Sequence, residues 1–312
     1  MLYLGIDLGG TNIAAGIVDE TGKILRQGST PTKAERNVEE IVKDMAKLCK
    51  ELVAEEGLSM DDIESIGLGC PGTVDNEGGE IAYANNLAMK HTPLRKMLEE
   101  YFPGKRINLE NDANAAAYGE YIVNGKGAKS FIFITLGTGV GGGIVLDGKI
   151  YRGFNCAGAE LGHITLVSGG EPCTCGHLGC WESYASVTAL IRQTKAAMEK
   201  DPDTAMHQWV AENGEVCGKT AFDCAQAGDR TAQAVVDQYI TYVADGLFSI
   251  LDIFQPEKIS IGGGISKQGD YLLNPILDFI AKNDYNRYMP KTKIEIATLF
   301  NDAGIIGAAL SK

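Results

Sequence analysis

Two stretches of this chain repeat one design. Residues 6–24 run from an apolar strand (Ile6-Asp7-Leu8) through Gly9-Gly10-Thr11 into a second strand, then a polar turn closed by Gly22-Lys23. Residues 134–150 do the same: Ile134-Thr135-Leu136, a glycine-rich turn over 137–143, the strand Ile144-Val145-Leu146, and the turn Asp147-Gly148-Lys149. Ile6-Asp7-Leu8-Gly9 aligns with Ile134-Thr135-Leu136-Gly137. After one skipped residue, Gly16-Ile17-Val18 aligns with Gly143-Ile144-Val145. The repeat predicts a duplicated α/β domain in which each half opens with a glycine hairpin. A turn with so few side chains lets backbone N–H groups close on an anion, most often phosphate.

Two familiar phosphate motifs do not account for these glycines. Gly137, Gly139 and Gly142 satisfy G-x-G-x-x-G, but that fingerprint needs a helix next, and here β-branched residues and a hairpin turn follow. Gly214-Glu215-Val216-Cys217-Gly218-Lys219-Thr220 is one residue too short for a P-loop and has no strand before it. It reads as a solvent loop. A third glycine turn, Gly262-Gly263-Gly264, follows the short strand over 259–261.

Other elements follow from periodicity. Val38, Ile41, Val42, Met45, Leu48, Leu52 and Val53 recur at helical spacing within residues 37–53. Asn111 and Asp112 open a helix running to Val123, a position that suits Asn or Asp as cap. Residues 183–254 are mostly helical, with 200–230 a polar surface insertion lacking a period. A last strand falls at 292–299 and a closing helix at 302–311. The duplication places a boundary near residue 115, giving a first domain of 1–115 plus 301–312 and a second of 116–300.

The chain has 312 residues, enough for two cores, and a net charge of −13, which disfavours a nucleic-acid partner. No uninterrupted apolar run approaches 18 residues and no secretory leader is read, so a cytoplasmic, non-membrane protein is expected. Three of eight cysteines lie within eight positions, Cys173, Cys175 and Cys180. With His163 they form H-x9-C-x-C-x4-C, a set suited to structural, tetrahedral zinc in a loop spanning 163–180. His177, inside that loop, is an alternative fourth ligand. Glu160 and Glu182 flank the segment as metal-side partners, sugar ligands or surface charges. Asp112 is the candidate general base: at a helix N-terminus its carboxylate is expected to stay ionised and able to accept a hydroxyl proton.

These motifs together resemble the ROK family (repressors, open reading frames and sugar kinases). The likeness is carried by Asp7-Leu8-Gly9-Gly10-Thr11, Glu110-Asn111-Asp112, the run from Leu136 through Gly139, Gly143, Gly153 and Ala159 to Gly162-His163, and Cys173-Thr174-Cys175-Gly176 with Gly179-Cys180. The resemblance implies an actin-like (ribonuclease H-like) ATPase fold of two α/β domains with an interdomain cleft, the last helix returning to the first domain. It implies an ATP- and Mg²⁺-dependent hexose kinase, with glucose favoured and N-acetylmannosamine, fructose or N-acetylglucosamine as alternatives. A sugar-sensing regulator is less expected, because the first hairpin begins near residue 4 and the surface is acidic. By position, Asp112 matches the base. Gly72, Thr73, Asn86, Asn111, Glu160, His163 and Glu182 match sugar contacts. Asp7 matches an Mg²⁺ contact, Gly9, Gly10, Thr11, Asn12, Thr138 and Gly139 the phosphate loops, and Gly263 and Gly264 the adenosine side. Asn12 stands where many relatives carry Lys, which weakens a phosphate contact there. A homodimer is the family's usual assembly.

Overall fold

The computed structural model describes residues 1–286 and 288–311, with Asn85 described by its backbone only. Lys312, the end of the expected 301–312 segment, lies outside the described residues, as does the side chain of Asn85. The chain opens with β1 (Leu2–Leu8), β2 (Asn12–Asp19) and β3 (Ile24–Pro31), an antiparallel meander. Helix α1 (Val38–Glu55) follows, capped by the Asn37 side chain accepting from the Glu40 N–H, and returns the chain to β4 (Ile63–Cys70), parallel to β1. Next come β5 (Thr73–Asp75), β6 (Glu80–Ala84), β7 (Met89–Thr92), α2 (Leu94–Glu99), β8 (Arg106–Asn111) and α3 (Asp112–Glu120), which runs on as a π-helical turn, Tyr121–Gly125.

The second hairpin is β9 (Ser130–Leu136) and β10 (Val140–Leu146), with β11 (Lys149–Ile150) beyond. Then follow α4 (Glu182–Ala185), α5 (Val187–Lys200), α6 (Met206–Asn213), α7 (Thr220–Gln226), α8 (Arg230–Phe254), β12 (Lys258–Gly262), α9 (Asp270–Asn283), β13 (Lys293–Ile296) and α10 (Asp302–Leu310).

Among the described residues one sheet has the order β3-β2-β1-β4-β8 and another β11-β10-β9-β12-β13. Each places its third, second, first, fourth and fifth strand in the same sequence, so the duplication seen in the glycine hairpins extends to the topology. A three-stranded sheet, β5-β6-β7, completes the set.

Contacts divide the chain into two compact units. One comprises Met1–Phe133, Gly143–Ala159 and Thr298–Lys312; the other comprises Ile134–Gly142 and Glu160–Ala297. In the first, the period-two alternation of β1 sorts its side chains. Leu4, Ile6 and Leu8 pack with Ile41, Met45 and Leu98 in one core. Tyr3 lies on the opposite face with Ile305, Ile306 and Ala309 of α10. Gly5 and Gly67 are on that same face, where a Cβ would overlap the carbonyl oxygens of Ile305 and Ala308. Helix α10 therefore lies nearly backbone-on-backbone against β1 and β4, as expected of a last helix returning to the first half.

Several expectations need correcting. Residues 200–230 are not an irregular insertion: α6 and α7 run through them, burying Met206, Ala221, Phe222 and Cys224. Two helices of about two turns each are too short for an apolar period to show. The glycine turn ends at Gly139, because β10 starts at Val140. Gly141 to Gly143 belong to a strand, and a Cβ at Gly143 would overlap Ala117 of α3. The last strand is shorter than 292–299, and the sheet β5-β6-β7 with α2 carried no pattern that was read.

Candidate active site

Asp7 sits on the α10 face of β1, next to last in the strand, where Gly304 packs against its carboxylate. The turn that follows is held by the Gly9 N–H donating to Asn12 O (3.0 Å) and by Thr32 Oγ1 donating to Gly9 O (2.6 Å). The N–H groups of Gly10 and Thr11 have no partner among the described residues, and Gly10, Thr11 and Asn12 are exposed. A short turn with outward N–H groups has the geometry that can accept an anion. Asn86, in the 3-10 turn Asn85–Leu87, lies against Gly10, 3.6 Å from where a Cβ would stand.

The cap of α3 is Asn111, not Asp112. Asn111 Oδ1 accepts from the N–H groups of Ala113 (3.0 Å) and Asn114 (3.1 Å), and its Nδ2 donates to Gly72 O at 3.0 Å. One amide hydrogen remains, so Asn111 can serve a sugar hydroxyl as a donor. Thr73 follows Gly72 as the first residue of β5. Asp112 is the first helical residue, with Oδ1 accepting from its neighbour Ala113 (2.8 Å).

The helix N-terminus is not the only influence on the Asp112 carboxyl. Burial pushes its carboxyl above the usual range, and the hydrogen bond from Ala113 only partly opposes this. Asp7 is pushed up to about 6, by burial first and by the charge of Asp112 second. The helix N-terminus is outweighed because dehydrating a carboxylate costs more than one favourable dipole returns.

This shift has a testable sign. The folded pKa of Asp7 lies above the unfolded value of about 3.9, so the ionised group costs stability fully above pH 6 and not at all near pH 4. Asp7→Asn should therefore raise the urea midpoint in Mg²⁺-free buffer at pH 8, by a free energy of up to about 3 kcal/mol. The gain should fade between pH 6 and 4. A gain that grows on acidification would contradict the assignment.

In the other unit the turn between β9 and β10 is pinned from α4 and α5. Val187 N–H donates to Gly137 O (2.8 Å) and Thr188 Oγ1 to Thr138 O (2.7 Å). Glu182 Oε2 accepts from Val140 N–H at 3.0 Å. A Cβ at Gly139 would overlap that carboxylate oxygen, so a side chain there would displace the Glu182 carboxylate from Val140. The N–H groups of Thr138 and Gly139 have no partner among the described residues. Gly263, at φ +87°, packs on Leu136, and Gly264 beside it faces open space.

The second oxygen of Glu182, Oε1, is 3.7 Å from Cys173 Sγ. The link between this glutamate and the glycine turn was not foreseen; the sequence offers no signal for it beyond adjacency to Cys180 and Trp181. His163, Cys173, Cys175 and Cys180 place one donor atom each within 4.8 Å of one another. Cys173 Sγ is 3.6 Å from His163 Nδ1, and Cys175 Sγ is 3.6 Å from Cys180 Sγ. Ligands at tetrahedral zinc stand about 3–4 Å apart, as these two pairs do, and the donor set fits zinc in number and chemistry. His177 is not in the cluster: its Nε2 pairs with Thr165 Oγ1 at 3.1 Å. Glu160 is exposed and its carbonyl accepts from His163 N–H, starting the 3-10 turn that presents the imidazole.

A profile of the ROK family matches residues 3–311. The chain belongs to the ROK family. It is 38% identical to a glucokinase of Halalkalibacterium halodurans, over 98% of this chain and 93% of that one. A crystal structure of a ROK family glucokinase from Streptomyces griseus in complex with glucose and AMPPNP is 36% identical. It superposes with a TM-score of 0.83, covering 99% of this chain and 98% of that one. A xylose repressor of Caldicellulosiruptor bescii is 28% identical, the match covering 97% of this chain and 76% of the repressor. The ROK fold is the actin-like ATPase fold, with mixed sheets as found here. No described helix is long and apolar enough to cross a membrane.

Proposed function

We propose that this ROK protein is an ATP-dependent hexose kinase whose preferred sugar is glucose, forming glucose 6-phosphate and ADP. The observation that carries the reading is the pair Asp112 and Asp7: two half-buried carboxyls of raised pKa, one opening α3 and the other next to last in the strand before a glycine turn. The full-length likeness to glucokinases supports the choice of sugar.

Asp112 accepts the proton of the C6 hydroxyl as its oxygen bonds to the γ-phosphorus and the bond to the β-phosphate oxygen breaks. A base of raised pKa is closer to operating pH than an ordinary carboxylate, which favours proton transfer. In the turn Gly9 to Asn12 the backbone N–H groups of Gly10 and Thr11, and in the second turn those of Thr138 and Gly139, neutralise phosphate charge, and Gly263 and Gly264 take the adenosine side. Asp7 would hold Mg²⁺, directly or through water, and the ion would supply charge neutralisation. Asn111, Glu160, His163 and Glu182 are assigned the sugar hydroxyls, and Gly72, Thr73 and Asn86 further sugar contacts. His163, Cys173, Cys175 and Cys180 would hold zinc, which braces the loop. In this reading the protein is cytoplasmic and works as a homodimer.

A coupled assay with ATP against glucose, fructose, N-acetylmannosamine and N-acetylglucosamine tests the proposal. Glucose should give the highest kcat/KM, and elemental analysis of the same preparation should find one zinc per chain. ADP release with none of the sugars would overturn the kinase reading. Full activity in zinc-free protein would remove the metal from it.

A further inference from the structure

Directly behind Asn111 and Asp112 lies a carboxylate to which the mechanism gives no task. Glu110, 1% exposed, ends the apolar alternation Ile107, Leu109 on β8. Its Oε1 accepts from Asn111 N–H (3.0 Å) and Asn114 Nδ2 (3.2 Å). Its Oε2 accepts from Arg152 Nε (2.8 Å) and Nη2 (2.5 Å), and Asn76 Nδ2 stands 3.5 Å away. A buried carboxylate this fully engaged holds its neighbours to one geometry, because moving any donor exposes an uncompensated charge.

Arg152 comes from the segment after β11. Its backbone is engaged too: the carbonyl accepts from Gly158 N–H at 2.9 Å and closes the loop 152–158 at its base. Gly153, Cys156 and Ala159 all have left-handed backbone (φ +73°, +59° and +66°). Two of these three are not glycine, so the loop conformation is strained and persists only where its ends are fixed. Glu160 and then His163 follow directly along the chain.

We propose that the Glu110–Arg152 ion pair is a positioning device for hexose binding, locking the Asn111–Asp112 turn and the root of the loop that leads to Glu160 into one register. The inference rests on the kinase reading and adds two residues to it. Neither touches the sugar; both act through residues that do. Burying an ion pair is poor value for stability alone, since apolar residues of similar shape do as well. Holding a proton acceptor and a binding loop in place gives a reason for it.

The test uses the full chain with Arg152→Lys and with the double variant Glu110→Gln/Arg152→Gln. The double variant removes both charges, so no lone buried ion is left to unfold the protein. It should melt within a few degrees of wild type, yet lose about 10²-fold in kcat/KM for glucose, mostly through KM, with the KM for ATP unchanged. Arg152→Lys, which keeps the charge but not the fork, should fall between the two. A purely structural role would lower the melting temperature and leave the hexose KM of the folded enzyme unchanged. That outcome, or equal rises in KM for hexose and ATP, would overturn the proposal. Wild-type turnover in the same assay separates the two ideas. An inactive wild type defeats the kinase reading, whereas an active wild type with unaffected variants defeats only the positioning role.

Discussion

Asp112→Asn should reduce kcat by about 10²–10⁴-fold, equivalent to about 3–5 kcal/mol of transition-state stabilisation, with hexose affinity changed little. The substitution keeps the size and the acceptor oxygen that the Ala113 N–H uses, and removes only the capacity to take a proton. Unfolding would not explain the loss. Because burial raises the folded pKa of Asp112, its ionised form costs stability above that pKa, and the neutral amide should be more stable than wild type at pH 7–8. The amide also removes the repulsion felt by Asp7, whose pKa should drop toward the ordinary range. Calorimetric glucose titration beside steady-state kinetics checks both parts. Turnover near wild type would take Asp112 out of the chemistry.

The largest expected effect on folding comes from a residue with no part in the chemistry. Gly307→Ala places a methyl where the carbonyl oxygen of Ala115 now sits, between α10 and α3. Gly119 of α3 faces Ala303 of α10 in the same way, so the two helices touch through glycine on both sides. A flexible side chain could yield to an added methyl, but a helix backbone moves only as a body, and α10 is also seated on β1 and β4 through Gly5 and Gly67. Overpacking of this kind costs about 1–3 kcal/mol and more where the neighbour is rigid. The urea midpoint should fall with an unchanged slope, which marks lost stability rather than an altered unfolded state. A wild-type midpoint would mean that α10 is less closely seated than the structure has it.

What was legible in the chain was whatever repeats or clusters. The two glycine hairpins announced a duplicated fold, and the common strand order of the two sheets follows from it. The apolar stripe of α1 was plain because 18 residues give five turns of period. The Cys/His cluster was legible because three cysteines and a histidine gather in one glycine-rich loop, and the fold brings His163 rather than His177 to the cysteines. Elements of two turns or three residues, such as α6, α7 and β5, were not legible; tertiary burial of a few side chains creates them and local pattern does not.

The residue types of the proposed site, Asp7, Asp112, Asn111 and the His163, Cys173, Cys175 and Cys180 cluster, were determined by sequence alone, since their chemistry is intrinsic and their spacing local. Their electrostatic state was decided only by the tertiary structure. Whether Asp112 is ionised depends on how much water its neighbours exclude, and those neighbours come from strands and helices distant in the chain. The same holds for Glu182 on Val140 and for Arg152 on Glu110, hydrogen bonds spanning some 40 residues that no local pattern encodes.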